Sequence, residues 1–317
     1  MKKRIITVLI LLVICVPLIV IESQITRILF FVLASACCGI GGYEVVNSGY
    51  QKNKELKNYR FLVPVLSSLV GALALFATLN STKSVDDYLG GYVYHFGVLI
   101  ALMLSMLLIF GLMIFTKGSS LSSISTCFLG VIYGGLLLGY TFSLRYFSAP
   151  ILNEYEIFNI TGIKSFLYIY LIVASTDTFA YIFGTKFGKH KLCEDISPNK
   201  TKEGSLFGLL FGSVVGVVTL ILTKMIVVNT SVGWVILIIG GLLFSAIVSI
   251  FVQIGDLVES KLKRSYEVKD FGYILPGHGG ILDRFDSFIY SGVWFYIIIQ
   301  IIQNIIVWSK WWKTLFY

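Results

Sequence analysis

Residues 260–287 read SKLKRSYEVKDFGYILPGHGGILDRFDS, a strongly polar stretch that lies between two strongly apolar segments. The chain has 317 residues, of which 56% are hydrophobic and only 13% are charged. Soluble domains are about 45–50% apolar and about 25% charged, so a soluble fold would leave much of this apolar surface in water. We therefore predict an all-α, polytopic integral membrane protein, in which the polar stretch is kept because it carries chemistry.

Nine segments are long and apolar enough to cross a bilayer, since a spanning helix needs about 20 mostly apolar residues. They lie at about residues 4–22, 27–47, 61–80, 92–115, 123–144, 164–184, 204–228, 232–254 and 285–308. The first resembles a signal peptide, because Met1-Lys2-Lys3-Arg4 precedes an apolar run. Its apolar core is long and no clear small-residue cleavage site follows, so we expect a retained span.

Basic residues are concentrated in alternate loops, which predicts the orientation by the positive-inside rule. With the N-terminus in the cytoplasm, the cytoplasmic loops are 48–60, the Lys117 turn, 185–203 and 255–284. The opposite loops, 81–91, 145–163 and 229–231, are poor in Lys and Arg. Every motif-rich loop then faces the cytoplasm, where nucleotides are. We expect the protein to lie in a cell membrane, such as the inner or plasma membrane of a bacterium. Its polar cavity should face the cytoplasm.

Most of the candidate chemistry lies in the C-terminal half. Residues 1–150 carry few polar side chains and are predicted to form a transmembrane scaffold, while residues 151–317 form the catalytic region of the same membrane-embedded unit. The net charge of +8 is distributed among membrane-flanking loops, so it indicates orientation and anionic phosphates and not nucleic acid. The five cysteines show no paired metal spacing and predict no disulfide framework.

Three acids, two within the polar stretch and one just before it, are candidate metal ligands. Asp283 and Asp286 begin the last span and, three residues apart, share one helix face. Asp256 lies at the end of the preceding span, where an acid needs a partner or a water-filled cavity. Hard oxygen ligands without Cys or a His cluster favour Mg²⁺ over Zn²⁺. The simpler interpretations are favourable helix-dipole charges for the pair and a membrane-interface residue for Asp256.

Two further features lie upstream of the polar stretch. Asp177 is inside the sixth predicted span, where an acid indicates function unless it makes a structural contact between helices. Residues 197–204 read SPNKTKEG, and their hydroxyls, lysine and glycine suit a phosphate group at a helix N-terminus. The same residues also make ordinary turns and caps.

The basic residues of the polar stretch have two interpretations. Lys261, Lys263 and Arg264 suit phosphate binding, or they form a membrane-surface stripe attracted to anionic lipid. His278 lies in a Gly-His-Gly-Gly turn, where it either contacts substrate or completes the loop.

A long pattern of fixed residues runs through 260–286: Ser-x-Leu-Lys-Arg-x4-Lys-Asp-x-Gly-x2-Leu-Pro-x-His-Gly-Gly-Ile-x-Asp-Arg-Phe-Asp. It resembles the signature of the phosphatidate cytidylyltransferases, the CDP-diacylglycerol synthases. Residues 177–181, 184–190 and 197–204 are also similar to motifs of that family, although Lys202 stands where the family commonly has an aromatic residue. The resemblance covers residues 164–290 well, and the N-terminal half only as a hydrophobic multi-span region.

This resemblance implies transfer of CMP from CTP to phosphatidic acid, giving CDP-diacylglycerol and pyrophosphate in phospholipid biosynthesis. It implies that Asp256, Asp283 and Asp286 hold Mg²⁺. Whether a second, monovalent cation such as K⁺ also binds stays open. The resemblance also implies a homodimer in the lipid bilayer. The remaining candidates are Lys263, Arg264, Lys269, Asp270 and His278 for catalysis, and Ser197, Lys200, Thr201, Glu203, Lys261 and Arg284 for nucleotide or phosphate binding.

The residue chemistry agrees with this reaction. The lipid phosphate is already an anionic nucleophile, so no strong general base is needed, and divalent metal with Lys and Arg suits a transition state in which two anions meet. Two alternatives stay open. One is a related CTP-dependent membrane enzyme, such as a polyprenol kinase or a CDP synthase acting on archaeal lipids. The other is an anion transporter, which would use Asp177 but would not need the dense polar loop.

Overall fold

The computed structural model describes residues 13–81, 88–116, 119–155, 157–275, 277 and 279–316, and of residues 88–92 and 308–316 it describes the backbone alone. Within these residues eight helices are long and apolar enough to cross a membrane: Gln24–Lys52, Lys54–Ser81, Val93–Phe115, Leu121–Ser143, Gly162–Phe187, Lys202–Leu222, Ser231–Ser265 and Leu282–Val307. They correspond to the second to ninth predicted spans and confirm the all-α polytopic fold. Of the first predicted span, 4–22, residues 4–12 lie outside the described residues, and residues 13–20 are helical.

The helices, in chain order, are α1 (Gln24–Lys52), α2 (Tyr59–Ser81), α3 (Tyr88–Phe115), α4 (Leu121–Leu129), α5 (Leu138–Ser143), α6 (Pro150–Asn153), α7 (Gly162–Phe187), α8 (Lys202–Leu222), α9 (Ser231–Ser265) and α10 (Leu282–Phe316). A 3₁₀ helix, Lys54–Asn58, precedes α2, and a π-helix, Gly130–Leu137, joins α4 to α5. Strands β1 (Lys191–Cys193) and β2 (Ser197–Thr201) form an antiparallel hairpin between α7 and α8.

Several helix ends lie a few residues or more from the predicted span ends, and two of them have a clear physical reason. Helix α9 was expected to end near residue 254 but runs to Ser265, so Asp256 lies within a helix and not at its end. Lys and Arg are good helix formers, and cations in the last turn complement the helix dipole, so the helix continues past its apolar part. Helix α8 ends at Leu222 and not near 228, because Lys224 takes a left-handed conformation with φ of 50°.

The described helices form two compact units. The first contains α1 to α5 and the stretch Lys261–Asp286, and the second contains Leu144–Ser260 and α10 from Ser287 onward. The polar stretch therefore packs with N-terminal helices. The predicted division into a scaffold, 1–150, and a catalytic region, 151–317, concerns what each half does, and it stays a prediction.

In the first unit, α1 is fixed by close packing against the π-helix. A Cβ on Gly134 would lie 2.4 Å from the backbone nitrogen of Gly42, so the two backbones approach as closely as only glycine allows. Val45 and Val46, next along α1, are completely buried. This packing determines where the neighbouring residue 44 points.

In the second unit, α7 is joined to α9 by buried hydroxyl groups. The hydroxyls of Tyr168 and Ser245 are 2.8 Å apart, and those of Thr176 and Ser249 are 2.9 Å apart. Hydrogen bonds of this kind hold helices together in lipid, where the hydrophobic effect between helices is absent. They place the hairpin end of α7 and the Asp256 turn of α9 in the same unit.

Candidate active site

The polar stretch between α9 and α10 folds into a compact turn. The N–H of Val268 donates to the carbonyl of Lys263 (3.0 Å), and the N–H of Leu275 donates to the carbonyl of Gly279 (2.9 Å). Gly277 and Gly279 have φ of 78° and 88°, a region that strains any L side chain. The turn itself therefore requires these glycines. His278, which we predicted to contact substrate or complete this turn, lies outside the described residues.

Asp283 is the anion around which this turn is built. Its carboxylate accepts hydrogen bonds from the N–H groups of Phe271 (2.9 Å) and Gly280 (2.8 Å), and Lys263 Nζ lies 3.1 Å from its Oδ1. The residue is 7% exposed. It stands in the first turn of α10, where a negative charge is favoured by the helix dipole. Asp283 thus orders the loop, and its role as a metal ligand stays a prediction.

A second carboxylate, Glu44 of α1, reaches the same turn and was missed from the sequence. Its oxygens accept hydrogen bonds from the N–H groups of Ile281 (2.9 Å) and Leu282 (3.0 Å). Glu44 is 1% exposed. The signal that could have found it is the one that drew attention to Asp177: an acid inside a predicted span.

The other predicted residues of the polar stretch lie in the first unit with Asp283 and Lys263. Asp270 and Asp286 are half-buried. The exposed cations, which a phosphate could approach from water, are Lys261, Arg264, Lys269 and Arg284. The structure therefore brings together eight of the predicted site residues in one unit, and places Lys261, Lys263 and Arg264 on the last turns of α9.

A second cluster lies in the other unit. Lys200 Nζ on β2 is 2.5 Å from Asp256 Oδ2 on α9, with the two side chains 25% and 31% exposed. Ser260 Oγ donates to Asp256 Oδ1 at 3.4 Å. A predicted nucleotide-binding lysine is therefore the direct partner of a predicted metal-site acid.

The expected loop 197–204 is in fact a strand followed by a helix start. Thr201 Oγ1 accepts a hydrogen bond from the N–H of Gly204 (3.1 Å) and so caps α8. Glu203 accepts from the N–H groups of Lys189 (3.1 Å) and His190 (3.2 Å), and its carboxylate is 2.6 Å from His190 Nδ1. The capping interpretation is thus supported for Thr201, whereas Glu203 binds the segment that follows α7. Ser197 and Lys200 remain candidates for nucleotide contact.

Asp177 lies on α7, in the unit that contains Asp256 and the hairpin. Its residue is exposed on the surface of the chain. The sequence predicted either a functional role or a structural contact between helices for this acid, and both interpretations stay predictions.

A metal site of three acids is not assembled within the part of the chain that the structure describes. No group of three or more His, Cys, Asp or Glu side chains there lies close enough together to hold a metal ion. Asp256 belongs to one unit, and Asp283 and Asp286 belong to the other. By chemical type these oxygens fit Mg²⁺, so the shared site stays a prediction.

A cavity of about 420 Å³ lies within the first unit. Its polar lining includes Lys52, Ser122, Thr126, Ser265 and Tyr266. The predicted acids do not line it, so this cavity is not the site of the candidate metal ligands.

Comparison with known proteins places these features in a family. Residues 2–302 match the Cytidylyltransferase family. The chain is 51% identical over 129 residues to a phosphatidate cytidylyltransferase of Staphylococcus haemolyticus (strain JCSC1435), and 50% identical over 129 residues to one of Staphylococcus aureus (strain COL). It is 52% identical over 130 residues to that of Staphylococcus saprophyticus subsp. saprophyticus.

Each of these alignments covers 41% of this chain and 46% of the relative, so the chain spans about half the length of the curated relatives it matches. The family match, in contrast, runs through nearly the whole chain, including the turn built around Asp283 and the hairpin that carries Lys200. The chain therefore belongs to the cytidylyltransferase family.

Proposed function

We propose that this protein is a membrane-embedded nucleotidyltransferase that transfers CMP from CTP to phosphatidic acid, giving CDP-diacylglycerol and pyrophosphate. The observation that carries the proposal is the ordered turn of the polar stretch. One buried anion, Asp283, fixes a loop that is flanked by the exposed cations Arg264, Lys269 and Arg284. Exposed cations at and beside a hydrogen-bonded loop suit a reaction in which two phosphate anions meet.

The reaction needs charge neutralisation more than proton transfer. An oxygen of the lipid phosphate attacks the α-phosphorus of CTP, and the bond from that phosphorus to the oxygen bridging it to the β-phosphate breaks, so that pyrophosphate leaves. Because the nucleophile is already an anion, no strong base is required. The exposed lysines and arginines of the polar stretch would bind the phosphates and reduce the repulsion between them.

We also propose that Asp256, Asp283 and Asp286 hold Mg²⁺, and that a second, monovalent cation such as K⁺ can bind with it. The supporting observation is that Asp256 and Asp283 each accept the ammonium group of a lysine, at 2.5 Å and 3.1 Å. Their oxygens are therefore placed for cations. A bound Mg²⁺ would offset negative charge on the reacting phosphates. Lys200 and Ser197 of the hairpin are the residues we expect to contact the nucleotide.

The substrates set the orientation that we propose. CTP arrives from the cytoplasm, while phosphatidic acid keeps its acyl chains in the bilayer and presents its phosphate at the interface. The polar stretch and the hairpin should therefore face the cytoplasm, as the distribution of Lys and Arg indicates. A homodimer is compatible with this arrangement.

The identity of the lipid acceptor is the part of the proposal for which a specific alternative exists. The family match supports a CTP-dependent enzyme over an anion transporter, but the named relatives are matched over less than half of their length. A related enzyme acting on polyprenol or on archaeal ether lipids is the second candidate.

Product identification separates these candidates. Purified protein would be incubated with CTP and Mg²⁺ and with either phosphatidic acid or a polyprenol, and the lipids identified by mass spectrometry. We expect CDP-diacylglycerol with phosphatidic acid and no phosphorylated polyprenol. Polyprenyl phosphate as the main product would contradict the proposed acceptor.

A further inference from the structure

We propose that Glu44 is a positioning residue for the candidate active site, because its buried carboxylate fixes the first turn of α10 and thereby the placement of Asp283 and Asp286. This inference rests on the proposed function for its activity readouts. It concerns a residue of α1, outside the polar stretch and outside the half of the chain predicted to be catalytic.

The first argument is the geometry of the contact. Glu44 Oε1 is 2.9 Å from the nitrogen of Ile281, and Oε2 is 3.0 Å from the nitrogen of Leu282, where α10 begins. The first N–H groups of a helix have no acceptor within the helix. A carboxylate that binds two of them with two oxygens fixes both the position and the direction of the helix start.

The second argument is that the loop leaves room for this side chain. A Cβ on Gly272 or on Gly280 would lie 2.3 Å from Glu44 Oε1. Glycine, without a Cβ, lets another group approach the backbone closely. At these two positions the group that approaches is Glu44, so the loop and the carboxylate are complementary in shape.

The third argument is that α1 holds the loop at two points. Ser48 lies one helical turn after Glu44 on the same face, and its Oγ donates to the carbonyl of Phe271 at 3.3 Å. The N–H of Phe271 binds Asp283, which also binds the N–H of Gly280. Along this turn, hydrogen bonds to α1 therefore alternate with hydrogen bonds to Asp283. A shift of the α1 side chains would move the backbone groups that hold Asp283.

The last argument is energetic. A buried carboxylate is costly unless it is fully paired, and helices are usually capped by a nearby Ser, Thr, Asp or Asn. Helix α10 already carries Asp283 in its first turn. Capping alone would not require a second carboxylate, Glu44, from a separate span. We infer that Glu44 in addition orients the turn that carries Asp283 and Asp286.

The principal test is Glu44→Gln, which keeps the size of the side chain but presents an NH₂ group to one of the two amides. We expect kcat to fall by about tenfold or more, the loss corresponding to one charge-assisted hydrogen bond, with little change in KM for CTP or phosphatidic acid. Ser67→Ala is the matched control, because Ser67 is also buried in this unit but donates to the carbonyl of Gly130, away from the loop. Its kcat should stay near that of the wild type.

A readout independent of activity is amide hydrogen exchange of the peptide covering residues 279–284. Exchange should be faster in Glu44→Gln than in the wild type or in Ser67→Ala. If the wild-type protein makes no CDP-diacylglycerol, the proposed function fails while this exchange measurement still decides the role of Glu44. Wild-type kcat together with wild-type exchange in Glu44→Gln would overturn the inference.

A pair of variants covers the case in which Glu44→Gln does not fold. Gly272→Ala should clash with Glu44, and Glu44→Asp, which is one methylene shorter, should make room for the added methyl group. We expect the double variant to lose less activity, and less protection of residues 279–284 from amide exchange, than the sum of the losses in the two single variants. Independent losses in the two variants would contradict the proposed contact.

Discussion

Lys263 and Asp283 form a buried ion pair within the polar stretch, and among single residues this pair contributes most to holding the site together. Their side chains are 15% and 2% exposed, and Asp283 also accepts the N–H groups of Phe271 and Gly280. When one partner of a buried pair is removed, the other charge is left uncompensated, at a cost of about 3–5 kcal/mol. The pair therefore connects the end of α9 to the start of α10.

Asp283→Asn should consequently lower the free energy of unfolding by roughly 3 kcal/mol and reduce turnover to near zero. Asp286→Asn should also remove most turnover but destabilise less, because Asp286 is half-buried and Asp283 is buried. Denaturant unfolding and turnover, both in detergent, would measure the two effects. Wild-type stability of Asp283→Asn would contradict the structural role, and activity within about threefold of the wild type for both variants would contradict the metal assignment.

Arg264→Ala tests whether the exposed cations bind substrate. Arg264 lies in the last turn of α9, and we expect its loss to raise KM for CTP or for phosphatidic acid by removing a phosphate contact of about 1.5–3 kcal/mol. Lys52→Ala is a suitable control, since Lys52 is an exposed cation of the same unit that pairs with Glu267 at 2.8 Å. Kinetics on mixed micelles would decide; equal effects of the two substitutions would show that Arg264 is only a surface charge.

At this scale the sequence identified one of the two buried carboxylates of the turn. Asp283 was predicted because it lies in a dense motif at the start of a span. Glu44 was missed because its partner Ile281 is 237 residues away, and no local pattern reports such a pairing. An acid inside a span indicated that a partner was required, but not which backbone groups would provide it.

At the scale of elements, the β1–β2 hairpin brings Lys200 to α9. The Lys200–Asp256 pair is 2.5 Å long and partly exposed, so its contribution to stability should be small, below about 1 kcal/mol. We therefore expect Lys200→Met to raise KM for CTP by about tenfold while leaving the unfolding midpoint nearly unchanged.

Lys191→Met is the control for that experiment, because Lys191 lies on the same hairpin and donates to the carbonyl of Pro198 and not to an acid. Its KM for CTP should stay close to that of the wild type. If Lys200→Met left KM unchanged, Lys200 would have no role in nucleotide binding.

Hydropathy located the described spans but not all of their ends. Helix α9 continues to Ser265 because its last turns are stabilised by the helix propensity of their residues and by the helix dipole. The average hydropathy of a segment reports neither effect. The hairpin was expected to be a loop because its strands have only three and five residues, without the alternation that predicts a strand.

At the scale of the whole molecule, orientation is the prediction that connects the fold to its substrates. In a cysteine-free variant, a cysteine at Ser265 should react with an impermeant reagent only from the cytoplasmic side, and one at Thr230 only from the opposite side. Both positions are exposed. Reversed or two-sided labelling would contradict the orientation.

The functional division at about residue 150 was drawn from where the motifs lie in the sequence. The structure shows that Lys261–Asp286 packs with the N-terminal helices and receives Glu44 from α1. Such packing depends on tertiary contacts that composition does not report. The membrane class could therefore be predicted from the sequence, whereas the membership of the two units could not.

The most direct test of the central claim is which phosphorus of CTP enters the lipid. Purified protein would be given phosphatidic acid, Mg²⁺ and CTP labelled either at the α- or at the γ-phosphorus, and the label in the lipid product would be counted. We predict that the α-label appears in the lipid and that the γ-label is released as pyrophosphate. Transfer of the γ-label to the lipid, or of neither label, would contradict cytidylyl transfer by this protein.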